Sequence, residues 1–122
     1  MPFGDQNQCS TVGKYQVCTN YLLDTETNLI WQRFHSAYGM ARYRGEQYCG
    51  AFGLRLPTVA EMKTLLDPTQ ASAPYMDRTI FPTAPSTTAW ASDGAVDFTK
   101  PDGAAPAYAA DSKLDVRCVI EQ

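Results

Sequence analysis

The early chain alternates apolar and polar positions. In "KYQVCTNYLLD" the apolar side chains Tyr15 and Val17, and then Tyr21 to Leu23, predict a strand. "DTETN" is rich in turn formers, and "LIWQRF" has the β-branched and aromatic content of a second strand, so the two are expected to form a hairpin. From Ser36 to Phe52 the spacing becomes helical, with Met40, Ala41, Tyr48 and Phe52 on one face and Cys49 beside them. Gly45 weakens the middle of that helix by about 1 kcal/mol relative to alanine. Its end is expected near Gly50 to Gly53, where two glycines can adopt left-handed conformations.

The most ordered stretch is "GLRLPTVAEMKTLLD". Thr58 can cap a second helix while Glu61, three residues on, bonds back to the Thr58 amide, which is a capping box. Met62, Leu65 and Leu66 then form a narrow apolar stripe, and Asp67-Pro68 stops the helix. Pro57 sits just outside the cap, where a missing amide donor costs nothing. Residues 68 to 88 carry Pro68, Pro74, Pro82 and Pro85 and read as a long ordered loop. "TTAWASD", "AVDFTKPDG" and "LDVRCVIEQ" are three short strand candidates. Hairpin, helix, helix, long loop and strands together predict an α+β domain whose terminal strands meet in one sheet. Residues 1–19 read as an N-terminal arm, irregular over 1–13, and 20–122 as the domain proper, one compact unit overall.

Composition narrows the function classes. A chain of 122 residues suits one domain, and no apolar run approaches the roughly 20 residues of a membrane-spanning helix, so membrane insertion is not expected. The net charge is −3 with no cluster of Lys and Arg, which argues against nucleic acid as a partner. Only Arg42, Arg44 and Arg55 lie close enough in sequence to make a local basic patch. Four cysteines without a C-x-x-C pair, and a single histidine, His35, favour disulfides over zinc. Of the three pairings four thiols allow, Cys9 with Cys18 and Cys49 with Cys118 is favoured. Disulfides imply an oxidising location: extracellular, cell surface or periplasmic. "PFGDQNQ" after Met1 lacks the basic-then-apolar pattern of a signal peptide, so a mature chain or fragment is expected.

"DTETNLIWQ", "QYCG", "GLRLPTVAEMKTLLD", "IFPTA", "AWASD", "AVDF" and "VRCVI" occur in the order seen in the Lcl C-terminal domain family, named for a collagen-like bacterial adhesin, and over roughly residues 20 to 121 the chain resembles that family. The resemblance implies a C-type-lectin-like fold, with two helices packed on a small, mostly antiparallel sheet and a long irregular loop region. Trp31 resembles the family's hairpin tryptophan, Cys49 and Cys118 its cysteine pair, Arg55 to Thr58 its "RLPT" corner, and Trp90 the start of its "WSS" strand. Leu54, Gly45 and Ala91 depart from the residues common in the family at those places.

Candidate chemistry is sparse. Trp31 reads as core, whereas Trp90 could be core or could stack on a sugar ring. His35 has no recognisable nucleophile or carboxylate partner in sequence and reads as a surface residue. Asp93, Asp97, Asp102 and Asp111 could offer oxygens to Ca²⁺ but read as turn formers, and no metal or other cofactor is expected. Arg55 is expected to hold loop carbonyls, and Arg117 could do the same or meet an anion. No catalytic constellation is discernible, and the cysteine pair matches a structural pair, not the reactive pair of formylglycine-generating relatives, so an enzyme is not expected.

The leading expectation is an adhesin-like recognition module that binds a host or bacterial surface glycan or protein through residues 68 to 115. Tyr75, Arg78, Trp90, Asp93, Asp97, Tyr108 and Asp111 are the candidate contacts, while Trp31, Arg55, Pro57, Thr58 and Glu61 are structural. Two alternatives stand beside it: a variable receptor-binding domain of a phage or retroelement system, and an assembly domain of a pilus, fibre or collagen-like protein that forms homo-oligomers through its parent.

Overall fold

The computed structural model describes residues 9–81 and 88–122. Residues 1–8 of the expected arm, and Pro82 and Pro85 of the expected loop, lie outside the described residues. Nine elements follow one another: β1 (Ser10–Val12), β2 (Tyr15–Val17), β3 (Tyr21–Asp24), β4 (Leu29–Gln32), α1 (Arg42–Ala51), α2 (Val59–Lys63), β5 (Thr88–Ala91), β6 (Gly94–Asp97) and β7 (Val119–Glu121). β1, β2, β3, β4 and β7 form one antiparallel sheet in that order, and β5 and β6 pair as a separate ladder. The α+β class stands, and the last strand joins the early hairpin as expected.

Three boundaries differ from expectation. Part of the irregular arm is a strand, β1, which pairs with β2 across a turn where Gly13 takes φ 57°. The single strand expected over "KYQVCTNYLLD" is two, because the chain turns at Cys18 to Asn20, where the Cys18 amide donates to the Tyr21 carbonyl at 2.9 Å. The first helix begins at Arg42 and not near Ser36. Met40 is held instead in a β-bridge, exchanging backbone hydrogen bonds with Leu114 at 2.9 and 3.1 Å. That partner lies 74 residues further on, so no local pattern could announce it.

β4, held between β3 and β7, is buried on both faces. Leu22, Leu29 and Trp31 point to the larger core, with Met62 and Leu65 of the α2 region and Met76, Ile80, Phe81, Val96 and Phe98. Leu23 and Ile30 point to the opposite face, which is covered by Cys18 with Cys9, Tyr21 and Ile120. Strand alternation thus supplies two cores from one strand pair, and the Cys9–Cys18 disulfide roofs the smaller one. The β3–β4 turn is tied by Asp24, whose Oδ1 accepts from the Glu26 amide at 2.9 Å and the Thr27 amide at 3.3 Å, while Asn28 takes φ 63°.

α1 turns Gly45 and Cys49 inward, the i, i+4 pair on its buried side. Cys49 is bonded to Cys118, and a Cβ placed on Gly45 would lie 2.9 Å from Val116 Cγ2. Glycine here is therefore what lets the helix seat against the segment leading into β7. Of the residues spaced for one face, Tyr48 is half-buried against the Cys49 core, whereas Phe52 is 50% exposed. The helix does end as predicted, with Gly53 at φ 72°.

Candidate functional site

The expected contacts of the late loops do not converge on one place. Trp90 is a correction: it is 1% exposed, so it cannot meet a ligand face-on. Its indole Nε1 donates to the Met40 carbonyl at 2.8 Å, with the Arg42 guanidinium 5.7 Å from its ring centroid and Tyr108 edge-on at 6.5 Å. The residue anchors the start of α1. Tyr108 and Asp111 are exposed near that anchor, where Ala110 accepts from the Arg42 amide at 2.9 Å. Asp93 is drawn elsewhere: its Oδ1 accepts from the Val59 amide at 2.8 Å, at the start of α2. Asp97 accepts from the amide and hydroxyl of Thr99 at 2.9 and 2.6 Å, a local turn. Tyr75 is half-buried and bridges Phe98 and Asp67 through its backbone, and Arg78 is exposed. Among the described residues no three His, Cys, Asp or Glu side chains gather as a metal site.

The "RLPT" corner is a brace. Thr58 Oγ1 accepts from the Glu61 amide at 3.1 Å and Glu61 returns the bond to the Thr58 amide at 2.9 Å, so the capping box is complete. Glu61 also takes both ends of the Arg55 guanidinium at 2.9 Å, and Arg55 reaches Glu121 as well. Arg55 thus meets carboxylates in addition to the carbonyl of Leu56, the one loop carbonyl it holds among the described residues. Its hydrogen bond is the main reason that the Glu61 carboxyl sits below its ordinary 4.5. Backbone bonds between Arg55 and Val119, 2.9 Å each way, stitch the corner to β7. Pro57 is buried, and its carbonyl accepts from the Ser92 amide at 2.8 Å. Arg55 is accordingly withdrawn from any basic patch with Arg42 and Arg44.

A different surface emerges along α1 and the segment before it. Six large apolar or aromatic side chains are exposed among the described residues, and four of them lie here: Phe34 (38%), Tyr38 (74%), Tyr43 (55%) and Phe52 (50%). At the N-terminal end of α1 they border a groove of about 530 Å³, with Tyr38 and Tyr43 on its walls and Arg44 and Lys113 at its edge. Its floor is stiff. Tyr38 to Ala41 runs against Lys113 and Leu114 through the Met40 bridge, and Gly39 allows the approach, since a Cβ there would stand 3.1 Å from the Lys113 carbonyl. At the C-terminal end a second hollow, about 260 Å³, is lined by Asn20, Tyr21, Gln32, Phe34, His35, Tyr48 and Phe52. Exposed aromatics over rigid backbone are suited to binding, because they bury area without first being ordered.

Comparison with known families decides what this scaffold is: residues 20–120 match the Lcl C-terminal domain. The chain belongs to the Lcl C-terminal domain family. No curated protein and no solved structure matches it. The match makes this Lcl domain a bacterial surface-associated domain.

In this Lcl domain one sequence reading of a single residue changes, that of His35, and one left open, that of Arg117, is decided in favour of holding carbonyls. His35 is not a plain surface residue: its Nδ1 is buried with no hydrogen-bond partner among the described residues. Arg117 is fully buried over Phe81, 4.7 Å from the ring centroid, and donates to the Gln32 and Arg33 carbonyls at 2.7 Å each. Burial pulls its pKa down to about 9, against the upward pull of Asp115. Asp115 in turn is pushed up by its own burial. The α1 surface escaped the sequence reading because Tyr48 and Phe52 share a helical phase with buried positions. Cys49 is the signal that could have revealed it: a disulfide cysteine faces inward and takes Gly45 with it, which leaves Tyr43 and Arg44 outside.

Proposed function

We propose that this Lcl domain is a non-enzymatic recognition module, displayed outside the cell, which binds a glycan through the aromatic surface of α1. The carrying observation is the concentration of four exposed aromatic side chains on one stretch braced by the Cys49–Cys118 disulfide and the Met40–Leu114 bridge. Aromatic rings pair with the apolar faces of sugars, and Arg44 and Lys113 at the groove's edge add donors for hydroxyl or acidic groups. The two disulfides support an oxidising location, and the family resemblance supports a C-type-lectin-like arrangement. The reading moves the ligand surface away from the late loops, because Trp90 is buried and Asp93 and Asp97 hold local backbone.

A glycan array probed with the wild-type domain and with a Tyr38→Ala/Tyr43→Ala variant tests it. Binding that falls at least tenfold in the variant, with an unchanged melting temperature, is the expected result. Binding that survives there but is lost on substituting Arg78 and Asp111 returns the ligand to the late loops.

A further inference from the structure

We propose that the hollow at the C-terminal end of α1 is a subsite for one uncharged pyranose ring. The inference rests on the glycan reading of the α1 surface and adds to it the class of sugar and the residues that hold it. Its centre is Gln32, 8% exposed at the end of β4. Gln32 Oε1 accepts from the Cys118 amide at 3.1 Å, and its own backbone amide donates to the Cys118 carbonyl at 3.1 Å. The Cys118 amide needs an acceptor, which fixes the orientation of the side-chain amide and leaves Nε2 as the free end. That nitrogen makes no hydrogen bond to any described residue, although the side chain lines the hollow. An immobilised amide whose free donor end faces a surface hollow is placed to give a hydrogen bond to an acceptor bound there, with no side-chain reordering needed.

The walls supply the complementary apolar part. Tyr48 and Phe52 meet edge-to-face, with centroids 5.3 Å apart and planes at 70°, and so form a corner that offers one ring face and one ring edge. A pyranose has this same division, with an apolar C–H face and a rim of hydroxyls. The volume of about 260 Å³ suits a single ring and not a chain.

The lining favours a neutral sugar over an acidic one. Among the described residues no Asp, Glu, Lys or Arg lines the hollow, and His35 is the one side chain there that can take up positive charge. Arg33, next to Gln32, is committed elsewhere: its Nε donates to the Ile80 carbonyl at 2.9 Å and its Nη1 to the carbonyls of Cys18 and Thr19 at 2.9 and 3.2 Å. A carboxylate or sulfate here would lose hydration without gaining a permanent cation.

The test is a titration of the isotope-labelled domain with methyl pyranosides of glucose, galactose, mannose and N-acetylglucosamine, beside glucuronic acid and glucose 6-sulfate, followed by amide NMR shifts. At least one neutral pyranoside is expected to shift Gln32, Tyr48 and Phe52 saturably, with a Kd on the order of 1–10 mM. Gln32→Glu keeps an oxygen for the Cys118 amide but removes the donor, and is expected to weaken binding at least tenfold. Phe52→Ala, at an exposed site, is expected to weaken it at least fivefold, and Val12→Ala, exposed on β1, to leave it unchanged. Shifts confined to Tyr38, Tyr43 and Lys113 would overturn the subsite while leaving the α1 surface as the glycan face. A preference for the acidic sugars, or full affinity in both Gln32→Glu and Phe52→Ala, would also overturn it. Absence of any shift beside a positive array would do the same, and absence of both would remove the glycan reading as well.

Discussion

Gly45→Ala separates a local from a tertiary account of α1. Judged by helix propensity alone, alanine should stabilise the helix by about 1 kcal/mol. The structure predicts the opposite sign. The new Cβ would lie 2.9 Å from Val116 Cγ2, and Val116 is fully buried and β-branched, so it can yield only by shifting the segment that carries Cys118. Overpacking of this kind costs about 1–3 kcal/mol, which leaves a net loss of about 1 kcal/mol after the propensity gain. Gly50 is the control: it lies on the exposed side of the same helix with nothing within 4 Å, and Gly50→Ala should stabilise by up to about 1 kcal/mol. The two variants should therefore differ by about 2 kcal/mol, or ~8 °C in melting temperature for a domain of this size. Thermal and urea unfolding measure this directly. Adding Val116→Ala should relieve the clash and give a coupling of about 1 kcal/mol in a double-mutant cycle. A Gly45→Ala protein as stable as Gly50→Ala would refute the close-approach reasoning.

Other predictions concern the brace and the disulfides. Thr58→Ala should lower stability by about 1 kcal/mol through the lost cap, with glycan binding unchanged, as unfolding and array measurements on the same sample would show. Because the hydrogen bond from Arg55, and after it the Thr58 contacts, hold Glu61 below its ordinary 4.5, the stabilisation is complete above that value and is lost as the pH falls through the lower folded one. A melting-temperature series against pH should show that loss, and Glu61→Gln should flatten it. Removing Cys49–Cys118, which spans 69 residues, should cost about 4 kcal/mol on chain-entropy grounds, against about 2.5 kcal/mol for Cys9–Cys18, which spans 9. Paired Cys→Ala variants in urea test that ranking.

What could be read from the chain was what is decided within a few residues. The Thr58–Glu61 capping box, the turn after Asp24 and the glycine end of α1 are all local, and all three form as their residues dictate. The misread places are set by distant partners. Met40 has the periodicity of a helix but pairs with Leu114, and the Trp90 indole finds its acceptor 50 residues away at Met40. Periodicity gives the phase of a helical face but not how deep each position lies, so Phe52 shares the spacing of half-buried Tyr48 yet is exposed, while Gly45, read as a weak point, is the close contact. Large side chains made the late loops attractive, yet Trp90 is consumed by the fold and the aspartates by their own turns.

The central claim is that ligand meets the exposed aromatics around the two ends of α1. Mapping amide shifts of the labelled domain with the tightest glycan from the array tests it most directly. The account predicts perturbation of Phe34, Tyr38, Tyr43, Tyr48 and Phe52. Perturbation centred on Arg78, Asp93, Asp97 and Asp111, with α1 unmoved, would contradict it.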